Sequence, residues 1–339
     1  MRETYAKHPM DIETPQPAPE NQTSFPIQVP RSPLHTIFHN DRGWRAGWRI
    51  LMYMVMVLIF GAAMNFALDK IFHLPKTDSP APWQIFLQEF LVFALVFLPA
   101  CFMAWLEHRS VGDYGLPFHS LFRTRFWQGC ALGVVEVVTL MGCIAGFGGY
   151  SFGSLDIHGA AIFKWALFWA LLFIVVGLFE EFAFRGYLQF TLADGIGFWP
   201  AAWILSLGFG AVHLRNKGEG WVGAAGVAMI GLIFALTLKR TGNLWLVVGW
   251  HAAFDFGETF LFSVPNSGAV FPGHLSNATL HGPTWLTGGT VGPEGSVFSF
   301  ITMAIAGLFI HRVFPARKST SSQLQWSQAN GSSRAATPE

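Results

Sequence analysis

The stretch AAIFKWALFWALLFIVVGLFEEF, residues 160–182, decides the fold of this chain. It is predominantly apolar and longer than the roughly 20 residues that a helix needs to cross the hydrocarbon core of a bilayer. After Lys164, its next charged residues are the adjacent Glu180 and Glu181. Charged side chains are costly in hydrocarbon, so carboxylates at this place are candidate functional residues. The stretch therefore predicts a transmembrane helix that carries a site.

Comparable stretches recur along the 339 residues, of which 52% are hydrophobic and 12% are charged. An ordinary soluble domain has roughly 25% charged residues. The apolar stretches predict an all-α fold, a polytopic membrane helix bundle of about eight transmembrane helices. The predicted spans are 46–68, 84–106, 127–149, 160–182, 197–214, 221–238, 243–262 and 296–314.

The regions outside the spans predict how the chain is organised. Residues 1–40, rich in Pro, Thr, Gln and Asn, and residues 316–339, rich in Ser, Gln and Ala, are typical of disordered tails on either side of a transmembrane domain at 41–315. Lys and Arg are concentrated in alternate loops, which predicts that both tails are cytoplasmic. The loop 263–295 has no Lys or Arg, so we expect an extracytoplasmic cap on a protein of the cell (plasma or inner) membrane.

Charge, cysteines and the lack of repeats exclude several classes of protein. The net charge of +1 argues against a nucleic-acid partner, which needs a strongly basic face. The cysteines have neither a disulfide framework nor metal-ligand spacing, so we expect Cys101, Cys130 and Cys143 to be packing residues. Glu89 and Glu136 lie inside spans and are expected to hydrogen-bond between helices. No internal repeat is evident, so the inverted-repeat signature of many transporters is missing.

The first motif, Glu180-Glu181-Phe-Ala-Phe-Arg185, holds two carboxylates that cannot do the same job, since adjacent helical residues project about 100° apart. Glu181 and Arg185 have the i, i+4 spacing, acid first, that favours an ion pair. Glu180 has Phe184 at i+4, and a carboxylate without a cation in apolar surroundings is suited to general-base work near neutral pH. We interpret Glu180 as a base and Glu181–Arg185 as a structural ion pair. The alternative is an ordinary charge cluster at the end of a span.

Two further motifs, Phe209-Gly-Ala-Val-His213 and His251-Ala-Ala-Phe-Asp255, each place two side chains one helical turn apart on one face. Phe209 is expected to pack beside the imidazole of His213. Asp255 is placed to orient His251 and to fix its tautomer. The alternatives are a histidine that hydrogen-bonds across helices and a polar staple between helices.

The same side chains also allow a metal site. Two histidines with one or more carboxylates, and a position left for water, make a reasonable catalytic zinc set. Its ligands here would be Glu180, His213, His251 and Asp255, and Glu258 follows as a further candidate at i+3. The soluble zinc-protease signature His-Glu-x-x-His is absent. A divalent metal, zinc, is therefore the cofactor that the sequence predicts.

In this order on successive spans, Glu-Glu-x-x-x-Arg, Phe-x-x-x-His and His-x-x-x-Asn or Asp resemble the CPBP family, which comprises CAAX proteases and bacteriocin-processing enzymes. These are intramembrane endopeptidases of the type II CAAX prenyl endopeptidase kind. The resemblance covers roughly residues 160–262, and Gly292-Pro-Glu-Gly295 is a looser likeness to bacterial members.

The resemblance implies a role for each motif. Glu180 would activate a water with the assistance of His213, and His251 and residue 255 would stabilise the oxyanion of the tetrahedral intermediate. Residue 255 is Asp here, whereas Asn is commoner in the family. An ionised Asp cannot donate a hydrogen bond to an oxyanion. Asp255 must therefore be protonated, orient His251 or bind a metal.

The sequence thus predicts a membrane metalloendopeptidase in which an activated water hydrolyses a peptide bond. No covalent intermediate is expected, because no Ser or Cys lies beside a His in these motifs. The expected partners are the lipid bilayer and a peptide or protein substrate, and prenylated C-terminal peptides are the substrates of the family's eukaryotic members. The alternative is a non-enzymatic polytopic protein, either a proton-coupled transporter or a bacteriocin immunity or scaffold protein.

One expectation conflicts with simple hydropathy, which places Glu180 near the cytoplasmic end of the fourth span and His213 near the far end of the fifth. A shared site needs both side chains at one depth. This requires the fourth helix to continue to about residue 191, or the fifth to be tilted or to begin inside the bilayer.

Overall fold

The computed structural model describes residues 37–40, 43–70 and 81–315, and over these residues the predicted all-α bundle is confirmed. Of the predicted tails, residues 1–36 and 316–339 lie outside the described residues. The helices are α1 (Ala46–Lys70), α2 (Pro82–Leu106), α3 (Thr124–Gly146), α4 (Ala160–Arg185), α5 (Tyr187–Ile196), α6 (Phe198–His213), α7 (Trp221–Thr241), α8 (Trp245–Phe256), α9 (Thr284–Thr287) and α10 (Val297–Val313).

Five helical runs are long and apolar enough to cross a membrane, which supports a multi-pass membrane protein. The other predicted spans correspond to the shorter helices α6, α8 and α10, so the count of eight transmembrane helices is not confirmed. The five runs are Ala46–Lys70, Pro82–Leu106, Thr124–Gly146, Ala160–Ile196 and Trp221–Thr241.

Short segments connect these helices. Two antiparallel strand pairs form, β1 (His39–Asn40) with β2 (Gly43–Trp44) and β3 (Tyr150–Ser151) with β4 (Thr279–Leu280). Three 3₁₀ turns cover Val111–Tyr114, Phe118–Ser120 and Pro293–Gly295, and a π-helical turn, Gly257–Leu261, prolongs α8.

Around the junction of α4 and α5 the chain stays helical beyond residue 182, where the sequence predicted the fourth span to end. The fourth helix ends at Arg185, but after Gly186 the chain continues directly as α5 to Ile196. Glu107 fixes this junction, because its carboxylate accepts hydrogen bonds from the hydroxyls of Tyr187 and Tyr114, each at 2.7 Å, and from Arg49 Nε at 2.9 Å. Glu180 therefore lies inside a longer helical run than hydropathy had indicated.

Glycines bring α3 and α8 into close contact. A Cβ atom at Gly129 would lie 1.9 Å from the carbonyl oxygen of Leu246, and one at Gly133 would lie 2.3 Å from that of Trp250. Small residues at a helix crossing let two backbones approach, as is common in membrane bundles. Glu136 of α3 accepts a hydrogen bond from the indole of Trp250, which confirms the interhelical bond predicted for it. These contacts fix α8, the helix that carries the third motif.

Residues 263–295, which we call the cap, fold back on the bundle. The backbone N–H of Val264 donates to the carbonyl of Glu258 at 3.0 Å, and the ring of Phe271 packs on Trp169 of α4 with 5.1 Å between the centroids. Ser296 lies between the cap and α10, and its hydroxyl donates to Leu286 O at 2.6 Å. The cap is thus a folded part of the molecule that contacts the extension of α8.

Candidate active site

The tertiary structure brings four side chains from the three motifs together. Oε2 of Glu180, on α4, lies 4.0 Å from Nε2 of His213, on α6, and 3.8 Å from Nε2 of His251, on α8. Nε2 of His251 lies 3.4 Å from Oδ2 of Asp255. The Glu180 side chain keeps 23% of its surface exposed and the other three keep 12–13%, so the cluster is enclosed but accessible.

His213 has one ring nitrogen committed to its own helix. Nδ1 lies 2.8 Å from the carbonyl oxygen of Phe209. A carbonyl oxygen only accepts hydrogen bonds, so Nδ1 carries the proton in this arrangement. Nε2 of a neutral ring is then an acceptor that faces Glu180. The Phe209 ring packs edge-on against the imidazole with 4.6 Å between centroids, which confirms the predicted contact.

Glu181 and Arg185 form the predicted ion pair. NH1 of Arg185 lies 3.3 Å from both carboxylate oxygens, and the two side chains are 0% and 1% exposed. The guanidinium also lies 4.3 Å from the centroid of the Phe209 ring, within cation–π range. The pair therefore sits inside the protein, next to the candidate site.

Glu181 has a second contact that the sequence reasoning missed. Its Oε1 lies 2.9 Å from Nδ1 of His251, so one carboxylate joins the buried Arg185 to the imidazole. The spacing within the first motif gives no sign of this contact, because it depends on where α8 lies relative to α4. The only signal in the sequence was the chemistry of the carboxylate. Its two oxygens can accept several hydrogen bonds, so pairing with Arg185 leaves Glu181 able to accept another.

Gly231 on α7 makes room for Arg185. A Cβ atom there would lie 2.5 Å from NH2 of Arg185 and 3.1 Å from Oγ of Ser206. Real Cβ atoms do not approach other atoms so closely, so the guanidinium depends on the missing side chain. NH2 itself has no hydrogen-bond partner among the described residues. Arg185, at one end of the Arg185–Glu181–His251 chain of contacts, therefore has little room to move.

Glu258 does not join the four clustered side chains through any of these contacts. It lies on the π-helical turn that follows α8 and is 1% exposed, and its Oε1 has no hydrogen-bond partner among the described residues.

The predicted metal ligands do not form a metal-binding group in this geometry. Among the residues that the structure describes, no set of three or more His, Cys, Asp and Glu side chains is arranged to hold a metal ion. The zinc hypothesis for Glu180, His213, His251 and Asp255 stays a prediction, which metal analysis of the purified protein would decide.

A protein-family model described as type II CAAX prenyl endopeptidase Rce1-like matches residues 162–257. The match supports a CAAX protease family assignment. It confirms the resemblance predicted from the three motifs, all of which lie inside the matched stretch, and it supports intramembrane endopeptidase activity in general. Helices α1–α3, α9 and α10 lie outside it. No curated protein matches the chain significantly.

Proposed function

We propose that this protein is an intramembrane endopeptidase in which Glu180 and His213 activate a water molecule for attack on a peptide bond. The observation that carries the proposal is the convergence of Glu180, His213 and His251 from three helices, with Oε2 of Glu180 within 4.0 Å of both histidines. Titratable groups that meet in a partly enclosed place are candidates for acid–base chemistry.

Activation of the water follows from the acceptors that face one another. Nε2 of a neutral His213 and Oε2 of Glu180 are both acceptors, so a water between them can donate one hydrogen to each. The lone pairs of the water oxygen are then free to attack the carbonyl carbon of the substrate. As the new C–O bond forms, one proton of the water passes to Glu180, which acts as general base.

His251 is placed to stabilise the oxyanion that this attack creates. Its Nδ1 donates to Glu181, at 2.9 Å, and in the doubly protonated ring the Nε2–H group can donate a hydrogen bond to the oxyanion without giving up its proton. Oδ2 of Asp255 lies 3.4 Å from the same Nε2 and can accept a hydrogen bond from it, which would fix the orientation of the His251 ring. This division of roles accounts for an Asp at position 255, since an acceptor that orients His251 has no need of an amide.

The intermediate collapses when the C–N bond breaks. Glu180 returns the proton it took from the water to the departing nitrogen, so the products are a carboxylic acid and an amine. One water is consumed and the side chains are restored. The step needs no covalent enzyme intermediate.

The substrate would be a peptide or protein that reaches a site between α4, α6 and α8. The name of the matching family model includes a prenyl endopeptidase, so a prenylated C-terminal peptide is the first substrate to test. Our proposal places the protein in the cell membrane with both termini in the cytoplasm, on the basis of the Lys and Arg distribution.

The test uses purified protein, in detergent and in vesicles, with a panel of fluorogenic peptides in prenylated and unprenylated forms. Glu180→Gln keeps the size and shape of the side chain and removes the base, so hydrolysis should fall by about 10²–10⁴-fold. Asp69→Asn, at the end of α1, is the matched control and should keep the wild-type rate. Full activity in Glu180→Gln would overturn the mechanism. Proton flux into vesicles without cleavage of any peptide would favour the transporter.

A further inference from the structure

The ring of Phe234 lies against the imidazole of His251 at the candidate site. Phe234 belongs to α7, which carries none of the three motifs, and it is 4% exposed. Its ring centroid lies 6.1 Å from that of His251, with 36° between the two planes, and 5.3 Å from that of Trp250, with 68° between the planes. Both distances fall in the range in which aromatic rings attract one another. The proposed reaction assigns no role to this ring.

The hydrogen bonds of His251 leave the plane of its ring incompletely fixed. Nδ1 lies 2.9 Å from Oε1 of Glu181 and Nε2 lies 3.4 Å from Oδ2 of Asp255, so both contacts are at the edge of the ring. A hydrogen bond keeps a favourable angle over departures of up to about 30° from linearity. The torsion that rotates an imidazole about its Cβ–Cγ bond is broad and has no sharp staggered minimum. A rigid group packed against the imidazole is therefore needed to stop the ring from rocking.

Phe234 is itself held by buried neighbours on α4 and α8. The guanidinium carbon of Arg185 lies 5.9 Å from the centroid of the Phe234 ring, within cation–π range. Gly231, one turn earlier on α7, leaves room for the same guanidinium, since a Cβ there would lie 2.5 Å from NH2 of Arg185. On α8, the indole of Trp250 is fixed by the hydrogen bond that it donates to a carboxylate on α3. A close-packed ring between such neighbours holds His251 in place and does not yield to it.

The other histidine of the site has an equivalent support. The ring of Phe209 packs edge-on against the imidazole of His213, and the guanidinium carbon of Arg185 lies 4.3 Å from the centroid of that ring. Each histidine thus contacts an aromatic ring that also contacts Arg185. Phe209 lies one turn before His213 on the same helix, whereas Phe234 reaches His251 from another helix.

We propose that Phe234 is a positioning residue, whose ring fixes the plane of the His251 imidazole so that its Nε2–H group points at the oxyanion. Phe234 acts through His251 and touches neither the substrate nor the reacting atoms. The inference rests on the proposed function and adds to it, because it gives a part in the reaction to a helix that carries no motif.

The effect of losing the ring follows from the step in which His251 acts. The oxyanion forms only after attack, so a hydrogen bond to it stabilises the transition state and not the bound substrate. Weakening that bond lowers kcat and leaves KM unchanged. A misplacement of about 1 Å costs on the order of 100-fold in rate. Phe234→Leu, which keeps an apolar side chain and removes the flat ring, should therefore lower kcat by about 10–100-fold at the wild-type KM.

The kinetic test compares variants of the full chain, purified in detergent, with rates expressed per folded protein. Phe126→Leu is the matched control, because Phe126 on α3 is 2% exposed and its aromatic contacts are with Phe122 and Trp127. This control should lower stability as Phe234→Leu does and keep the wild-type kcat.

Two further variants separate the shape of the side chain from its bulk. Phe234→Tyr keeps the flat ring and should keep most of the wild-type kcat. Phe234→Met lacks the ring, but its flexible side chain fills irregular space and so preserves folding. Its kcat should fall as that of Phe234→Leu does.

A measurement without substrate separates this inference from the proposed function. In protein labelled with ¹³C at Cε1 of histidine, the NMR order parameter of His251 reports how far its ring moves, and His251→Gln assigns the signal by removing it. The order parameter should fall in Phe234→Leu and Phe234→Met, and should stay at its wild-type value in Phe126→Leu and Phe234→Tyr.

A wild-type kcat and a wild-type order parameter in both variants without the ring would overturn the positioning role of Phe234. So would a kcat that falls by the same factor in Phe126→Leu, since the loss would then report packing alone. A raised KM at unchanged kcat would also overturn it, since Phe234 would then bind the substrate directly. If the wild type cleaved no peptide, the proposed function would fail, and the order parameter alone would decide whether Phe234 fixes the ring.

Discussion

Glu181→Gln removes one charge from a buried chain of three side chains, Arg185, Glu181 and His251. The sequence alone assigns this carboxylate to stability, as the partner of Arg185. The structure adds the 2.9 Å contact with Nδ1 of His251, so we expect the substitution to lower both stability and turnover. The two effects can be separated, because each passes through a different neighbour of Glu181.

The magnitudes follow from burial and from the contacts. Arg185 is 1% exposed, and its hydrogen bonds to Glu181, both at 3.3 Å, are its only side-chain hydrogen bonds among the described residues. Leaving a buried charge without its partner costs about 3–5 kcal/mol of unfolding free energy. His251 loses a charged acceptor that orients its ring, which typically lowers turnover by about 10–100-fold.

A double variant, Glu181→Gln with Arg185→Met, distinguishes the two roles. Replacing a buried ion pair by neutral groups of similar size is often tolerated, so the unfolding free energy should recover most of its loss. Turnover should stay low, because His251 still lacks its carboxylate. The assays are thermal unfolding in detergent and kcat/KM on the folded fraction of each variant.

Glu107→Gln provides the matched control, because it weakens the Arg49–Glu107 pair at the α4–α5 junction. It should lower stability and leave kcat/KM of the folded protein near that of the wild type. If the double variant regained turnover together with stability, Glu181 would act through stability alone, and a catalytic contribution from its contact with His251 would be refuted.

Three further predictions address other parts of the site. Asp255→Asn should lower turnover by about 10–100-fold if the carboxylate orients His251; an unchanged or higher rate would show that residue 255 donates to the oxyanion, and metal analysis of the wild type and the variant decides the zinc hypothesis in the same preparation. Gly231→Ala should lower unfolding free energy by about 1–3 kcal/mol through overpacking against Arg185, whereas Gly226→Ala on the same helix, whose nearest contact would be an ordinary 3.5 Å, should be neutral; equal melting temperatures would contradict the tight fit. Gly133→Val should prevent close approach of α3 to α8 and lower both expression and activity, which a stable and active variant would disprove.

The sequence by itself determined the class of fold and the candidate residues of the site. In an apolar run of bilayer length, the backbone N–H and C=O groups must hydrogen-bond within the run, because hydrocarbon offers them no partner. A helix forms these bonds. Within those helices, a charged or imidazole side chain costs free energy, so each one is a candidate functional residue. Glu180, His213, His251 and Asp255 could therefore be selected by residue type and by i, i+4 spacing, and the structure brings these four together.

Contacts between distant helices were decided only by the tertiary structure. Spacing along one helix reports which side chains share a face, but it does not report which helix that face meets. The bond between Glu181 and His251 joins residues 70 positions apart, and the hydroxyl of Tyr150 donates to the carbonyl oxygen of Phe262, 112 positions away. Both depend on how α8 and the turn that follows it pack against their neighbours, and this packing is a property that a linear pattern of residue types does not contain.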